Sequence, residues 1–207
     1  VDPQLHEMMG LEKKYRSIGI VGARTGAGPQ IFAADEAVKA TNTEILTIEL
    51  PRGTRGGGGH GARLIFGAED VSDARRAVEV TLEELDRTFG DVYGNDAGHL
   101  EFQYTARAAA ALNQAFGAPI GKSFGITVGA PAAIGVVLAD TAVKASTIDV
   151  VAYSSPAKGT SYTNEGISAF SGDSGAVRQA VIAARDVGVA LLGALGAQPE
   201  STTTPYI

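Results

Sequence analysis

The sequence has no cysteine. That excludes a disulfide framework, a zinc knuckle and thiol chemistry, and it makes a reducing cytoplasm the default compartment. No run of about 18 consecutive apolar residues is present, so nothing reads as a membrane span. Basic charge is not in excess: 17 Lys and Arg stand against 23 Asp and Glu, for a net charge of -6. That is the wrong sign for a phosphate backbone. Histidine is scarce, and His6, His60 and His99 show none of the spacing a metal site needs. Val1-Asp2-Pro3-Gln4 does not open a signal peptide. No cofactor, metal, nucleic acid or membrane partner is therefore expected.

What remains is an ordinary globular composition. Of 207 residues, 44% are hydrophobic and 19% charged, enough apolar material for a real core and too little net charge for disorder. The length suits one large domain or two of about 100 residues each.

An internal repeat decides between these. Arg16-Ser17-Ile18-Gly19-Ile20 is echoed by Lys122-Ser123-Phe124-Gly125-Ile126. Ala34-Asp35-Glu36-Ala37-Val38-Lys39-Ala40 is echoed by Ala139-Asp140-Thr141-Ala142-Val143-Lys144-Ala145. Glu44-Ile45-Leu46-Thr47-Ile48 matches Asp149-Val150-Val151-Ala152-Tyr153, Pro51 matches Pro156, and Arg75-Arg76-Ala77-Val78 matches Arg178-Gln179-Ala180-Val181. Strands, loops and helices recur in one order, so the chain is two copies of one α+β unit in tandem.

Hydrophobic periodicity places the elements. In the first copy the expected strands are 18–21, 44–50 and 62–66, with helices at 33–41 and from Ser72 or Asp73 to Phe89. In the second they are 124–129, 148–154 and 167–171, with helices at 139–146 and 174–195. Residues 100–104 read as a further strand and 105–117 as an Ala-rich helix, with Leu5–Tyr15 as its counterpart. The strand that should precede that counterpart is missing, so the expectation is a native chain that starts before Val1. The expected domains are 1–92 and 93–197, with 198–207 a loose tail.

Several motifs invite chemistry. Gly22-Ala23-Arg24-Thr25-Gly26-Ala27-Gly28 follows a strand, but it lacks the Gly-Lys-Ser/Thr ending of a phosphate loop and the third glycine of a dinucleotide loop. It reads as a tight turn. Gly172-Asp173-Ser174-Gly175 resembles a protease nucleophile signature, yet it opens a helix, where Asp and Ser cap free N–H groups. Ser72-Asp73 holds the equivalent place. Neither a nucleophile with its base nor a paired acid and base is evident, so an enzyme is not expected.

Arg52-Gly53-Thr54-Arg55-Gly56-Gly57-Gly58-Gly59-His60-Gly61 is the least ordinary stretch. It is either a floppy surface loop or one shaped for close backbone approach. In the second case its amides, with Arg52, Arg55 and His60, offer positive charge along a passage. Its counterpart, Pro156 to Asn164, is polar and richer in side chains. Lys39 and Lys144 follow Asp35 and Asp140 by four residues. They make either helical ion pairs or an edge contact repeated by symmetry.

The Ala34–Ala40 and Ala139–Ala145 motifs resemble the helix of bacterial microcompartment shell domains. Arg16–Ile20, Phe32–Ala37, Asn95-Asp96-Ala97, Gly125–Pro131 and Pro156–Tyr162 fit the same likeness. A tandem pair resembles the trimer-forming shell proteins, with the likeness placed nearest the L type of ethanolamine-utilisation compartments. The resemblance implies two ferredoxin-like domains, circularly permuted, and a homotrimer that makes a flat pseudohexameric tile. It implies a place in the shell of a cytoplasmic microcompartment. Lys39 and Lys144 would lie at tile edges, against other shell proteins. Arg52, Arg55, Gly56, Gly57, Gly58, Gly59, His60, Thr160, Ser161, Tyr162 and Asn164 would line a gated pore for small polar metabolites. Some L-type relatives hold an amine on acidic residues in the turn after the first strand; Arg24-Thr25-Gly26-Ala27 does not fit such a ligand. The rival reading is a soluble small-molecule-binding or sensing protein on the same duplicated fold.

Overall fold

Apolar and β-branched runs pair as antiparallel strands, and the Ala-rich runs between them become helices. The computed structural model describes residues 1–23, 26–50, 61–158 and 164–207. Two compact units emerge, residues 1–85 with 109–115, and residues 86–108 with 116–207.

The first unit holds a three-stranded sheet. Its strands are β1 (Ser17–Ala23), β2 (Glu44–Glu49) and β3 (Ala62–Ala68), in the order β1-β3-β2. Helix α1 (Pro3–Met8) starts on Asp2, whose carboxylate accepts from the Gln4 amide at 2.9 Å. Pro at the first helical position suits that start. The helix stops before Gly10, whose φ of +65° ends it well short of Tyr15. Helix α2 (Ala27–Ala40) begins six residues earlier than periodicity suggests, because Gly26 at φ +76° turns the chain into it. Helix α3 (Val71–Thr88) packs on β1 at Gly19, where an added Cβ would lie 2.8 Å from the Ala74 carbonyl oxygen.

The second unit repeats this core and extends it. Strands β6 (Ser123–Ala130), β7 (Asp149–Ser154) and β8 (Gly166–Gly172) run β7-β8-β6, the same order as β2-β3-β1. The repeat reaches a backbone irregularity. The β2–β3 register shifts between Ile45 and Thr47, and the β7–β8 register shifts at the equivalent Val150 and Ala152. Beyond β6 the sheet continues through β5 (Gly98–Thr105), β4 (Asp91–Asn95) and β9 (Glu200–Ser201). Strand β4 was not expected. It forms a hairpin with β5 across Asp96-Ala97, pinned by the Asn95 side-chain oxygen accepting from the Ala97 amide at 2.8 Å. The expected boundary between residues 92 and 93 therefore falls inside a strand.

Two further corrections concern helices. Helix α4 (Ala110–Phe116) starts later than residue 105, because Thr105 is still paired in β5 with Phe124. Helix α5 (Ala132–Ala145) starts seven residues before 139. Pro131 occupies its N-cap, where a missing amide N–H costs nothing. Helix α6 (Ser174–Ala194) matches its expected span within a residue. Asp173 makes no side-chain cap there, and the Ser174 hydroxyl instead meets that of Tyr104 at 2.6 Å.

The core of the second unit lies between its sheet and α5 and α6. Leu100, Phe102, Ile134, Leu138, Phe170, Val181 and Leu192 are buried together there. Gly125 and Gly129 on β6 let the helices approach, Gly125 beneath Val177 and Val181 and Gly129 beneath Gly135. The tail is not loose. The Ile207 side chain joins this core, and the Tyr206 amide donates to Asp91 at 2.8 Å. Burial of one apolar residue and pairing of β9 with β4 hold a segment that composition alone reads as polar.

Candidate functional site

The repeated helix motif places Asp35 and Lys39 one turn apart on α2, and Asp140 and Lys144 one turn apart on α5. Both pairs close. Lys39 Nζ lies 3.0 Å from Asp35 and 2.9 Å from Glu36, and Lys144 Nζ lies 2.6 Å from Asp140. Their settings differ. Asp35 is fully buried and also accepts from the amides of Ala109, at 2.8 and 3.0 Å, and Leu112, at 3.1 Å. It thus satisfies N–H groups that the start of α4 leaves open. Asp140 and Lys144 are exposed.

Of the eleven residues expected around the pore, Asn164 is described. It stands at the entry to β8, and its side-chain oxygen accepts from the Ala132 amide at 3.1 Å, which anchors the start of α5. Arg52, Arg55, Gly56, Gly57, Gly58, Gly59, His60, Thr160, Ser161 and Tyr162 lie outside the described residues, as do Arg24 and Thr25.

Beside Asn164 is a polar cluster that sequence reasoning missed. His99 on β5 faces Ala130 on β6, and Gly129 faces Gly166 on β8, so Glu165 falls level with His99 across β6. Ala130 is small enough for the two to meet over it. His99 Nε2 lies 3.1 Å from Glu165 and 3.8 Å from Glu101, which shares its strand face two residues on. The hydrogen bond to Glu165 raises the His99 pKa, against burial and with help from both carboxylate charges. Burial pushes the Glu101 carboxyl up, and the Glu165 charge adds to that. The only linear signal is the 99, 101 alternation on one strand, since Glu165 is remote in sequence. Among the described residues no group of three acidic, His or Cys side chains is placed to hold a metal ion. The cluster can store or pass a proton beside the start of β8, and no nucleophile stands with it among the described residues.

Comparison with known proteins resolves the fold. The BMC domain model matches residues 17–95 and 123–198, one match in each copy. The chain belongs to the BMC-domain family. The bacterial microcompartment shell protein PduB of Citrobacter freundii is 65% identical over all 207 residues, which span 77% of its length. A crystal structure of a trimeric bacterial microcompartment shell protein PduB superposes with a TM-score of 0.92 at 51% identity, covering 100% of this chain and 91% of that one. The ethanolamine utilization protein EutL from Leptotrichia buccalis C-1013-b gives a TM-score of 0.78 at 22% identity, with 95% and 91% covered. The expected placement beside the L type is thereby corrected: the overall fold is shared with it, while the stronger likeness is to PduB. The likeness missed its mark because the motifs that carried it belong to the BMC domain itself.

Proposed function

We propose that this chain is a structural shell protein of a bacterial microcompartment. Two BMC domains in one chain carry the reading, because three chains then supply the six domains of a closed ring. The similarity to PduB shell proteins along the whole chain, and to a trimeric one in fold, supports it. The role is mechanical and selective rather than catalytic.

In this reading Lys39 and Lys144 lie toward neighbouring shell proteins, and residues 52–61 and 156–164 of each chain surround a pore for small polar metabolites that opens and closes. Two unlike loops alternating around the axis make a wider and less regular opening than six identical ones. Sedimentation tests the assembly. The expected species has three times the chain mass and forms flat layers in electron micrographs. A stable monomer at micromolar concentration sinks the reading.

A further inference from the structure

The two copies share more than their cores. Helix α1 is followed by Gly10 at φ +65° and then β1; helix α4 is followed by Gly117 at φ +74° and then β6. Leu5 precedes Gly10 by five residues, and Leu112 precedes Gly117 by five. The two helices are therefore repeat equivalents, each leading into the first strand of its copy.

Their environments are opposite. Leu112 is fully buried, and its amide donates to Asp35 on α2. No residue of α1 is buried; Leu5 is 52% exposed and Met8 85%. The receiving helix shows the same contrast. On α2, Ile31, Phe32 and Asp35 are 0%, 2% and 0% exposed; on α5 the equivalents Val136 and Val137 are 50% and 40% exposed, and the Asp140 side chain 56%. Val136, Val137 and Asp140 share one helix face by their spacing. One copy's receiving face is thus filled by the leading helix of the next copy in the chain, while the other copy's face and the other leading helix both stand open.

We infer that this face of α5 is an interface for a second copy of this chain, and that the second copy's residues 2–8 lie on it as α4 lies on α2. Such a contact joins unlike surfaces. Repeated head to tail, it either runs on as a filament or closes into a ring, and closure after three chains gives six leading helices on six receiving helices. The inference rests on the trimer reading and adds the surface that holds the trimer together. Leu5 and Met8 on one patch and Val136 and Val137 on the other are left exposed, and covering them gives the association a hydrophobic driving force.

The absence of native cysteine makes the test direct. The repeat places residue 2 where residue 109 stands, beside the partner of residue 140. The double variant D2C/D140C, oxidised as an isolated trimer, is expected to run as covalent dimers and trimers on a denaturing gel, and either single variant as monomer. The exposed substitution L5K, which disturbs no buried contact, is expected to raise the concentration at which the trimer dissociates at least tenfold. A trimer that neither cross-links nor weakens with L5K overturns the interface and leaves the trimer standing. A wild-type monomer overturns both.

Discussion

Arg185 on α6 reaches the fully buried carboxylate of Asp91 on β4 at 2.9 Å, and the same guanidinium nitrogen donates to the Ile207 carbonyl at 2.8 Å. Asp91 also accepts from the amides of Tyr206 and Ile207, at 2.8 and 3.3 Å. One buried acid therefore ties the edge of the sheet, the long helix and the tail of the second unit together. Removing it strands a half-buried guanidinium and two amides. Asp91→Ala is expected to cost roughly 3–5 kcal/mol, read from the shift of the urea unfolding midpoint. A loss under about 1 kcal/mol would mean that water or a neighbour takes over these donors.

Asp35 poses a similar question in the first unit. Its carboxylate serves Lys39 and the amides of Ala109 and Leu112 from a fully buried position. Asp35→Ala leaves those amides without their acceptor, and the expected loss is roughly 2–4 kcal/mol. Arg76, whose pairs with Glu79 and Glu83 are exposed, is the control; Arg76→Ala should change stability by less than about 0.5 kcal/mol. Chemical denaturation of the two variants side by side decides the matter, and equal losses would refute the assigned role of Asp35.

Gly135 lies inside α5, where alanine is ordinarily better than glycine by about 1 kcal/mol. Here the sign is expected to reverse. A Cβ at Gly135 would stand 2.4 Å from the Gly166 carbonyl oxygen and 2.5 Å from its Cα. Neither is the end of a flexible side chain, so the helix must move off β8. Gly135→Ala is expected to destabilise by roughly 1–3 kcal/mol as overpacking does, seen as a lower thermal midpoint. Gly175, with open space around its position, should accept alanine without that loss.

The fold was legible because repetition amplifies weak signals. Ile45 and Val150 are unremarkable alone, yet their aligned surroundings fixed strands that the structure places within two residues. Helix starts were misplaced where glycine or proline acts as a starter rather than a breaker, at Gly26 and Pro131. Strand β4 escaped because Asp91–Asn95 carries one strongly β-forming pair, Val92-Tyr93, and draws its stability from β5 and β9 on either side. Of the site, the Asp–Lys pairs followed from spacing alone. The difference between buried Asp35 and exposed Asp140 could not, because it depends on α4 and not on the motif. The His99 cluster was hidden for a related reason: strands β5, β6 and β8 must be assembled before Glu165 meets His99.

That cluster carries a pH prediction with a definite sign. His99 is raised above its ordinary value chiefly by the bond to Glu165, so the folded protein holds this proton more tightly than the unfolded chain does. Its stabilisation is complete below the ordinary histidine pKa of about 6.5 and is lost as pH rises through the raised folded value. Glu101 is raised by burial and by the charge of Glu165. A raised carboxyl stabilises the fold while protonated, so its contribution also fades as pH rises. The charge of His99 opposes this first, and the hydrogen bond with Gln103 opposes it less, since both favour the Glu101 carboxylate. The unfolding free energies of the wild type and His99→Gln should therefore differ more at about pH 6 than at about pH 9. Urea titrations of both at the two values measure the gap. A gap that stays constant, or widens toward alkaline pH, would show that His99 is neutral in the folded chain and held by packing rather than by Glu165.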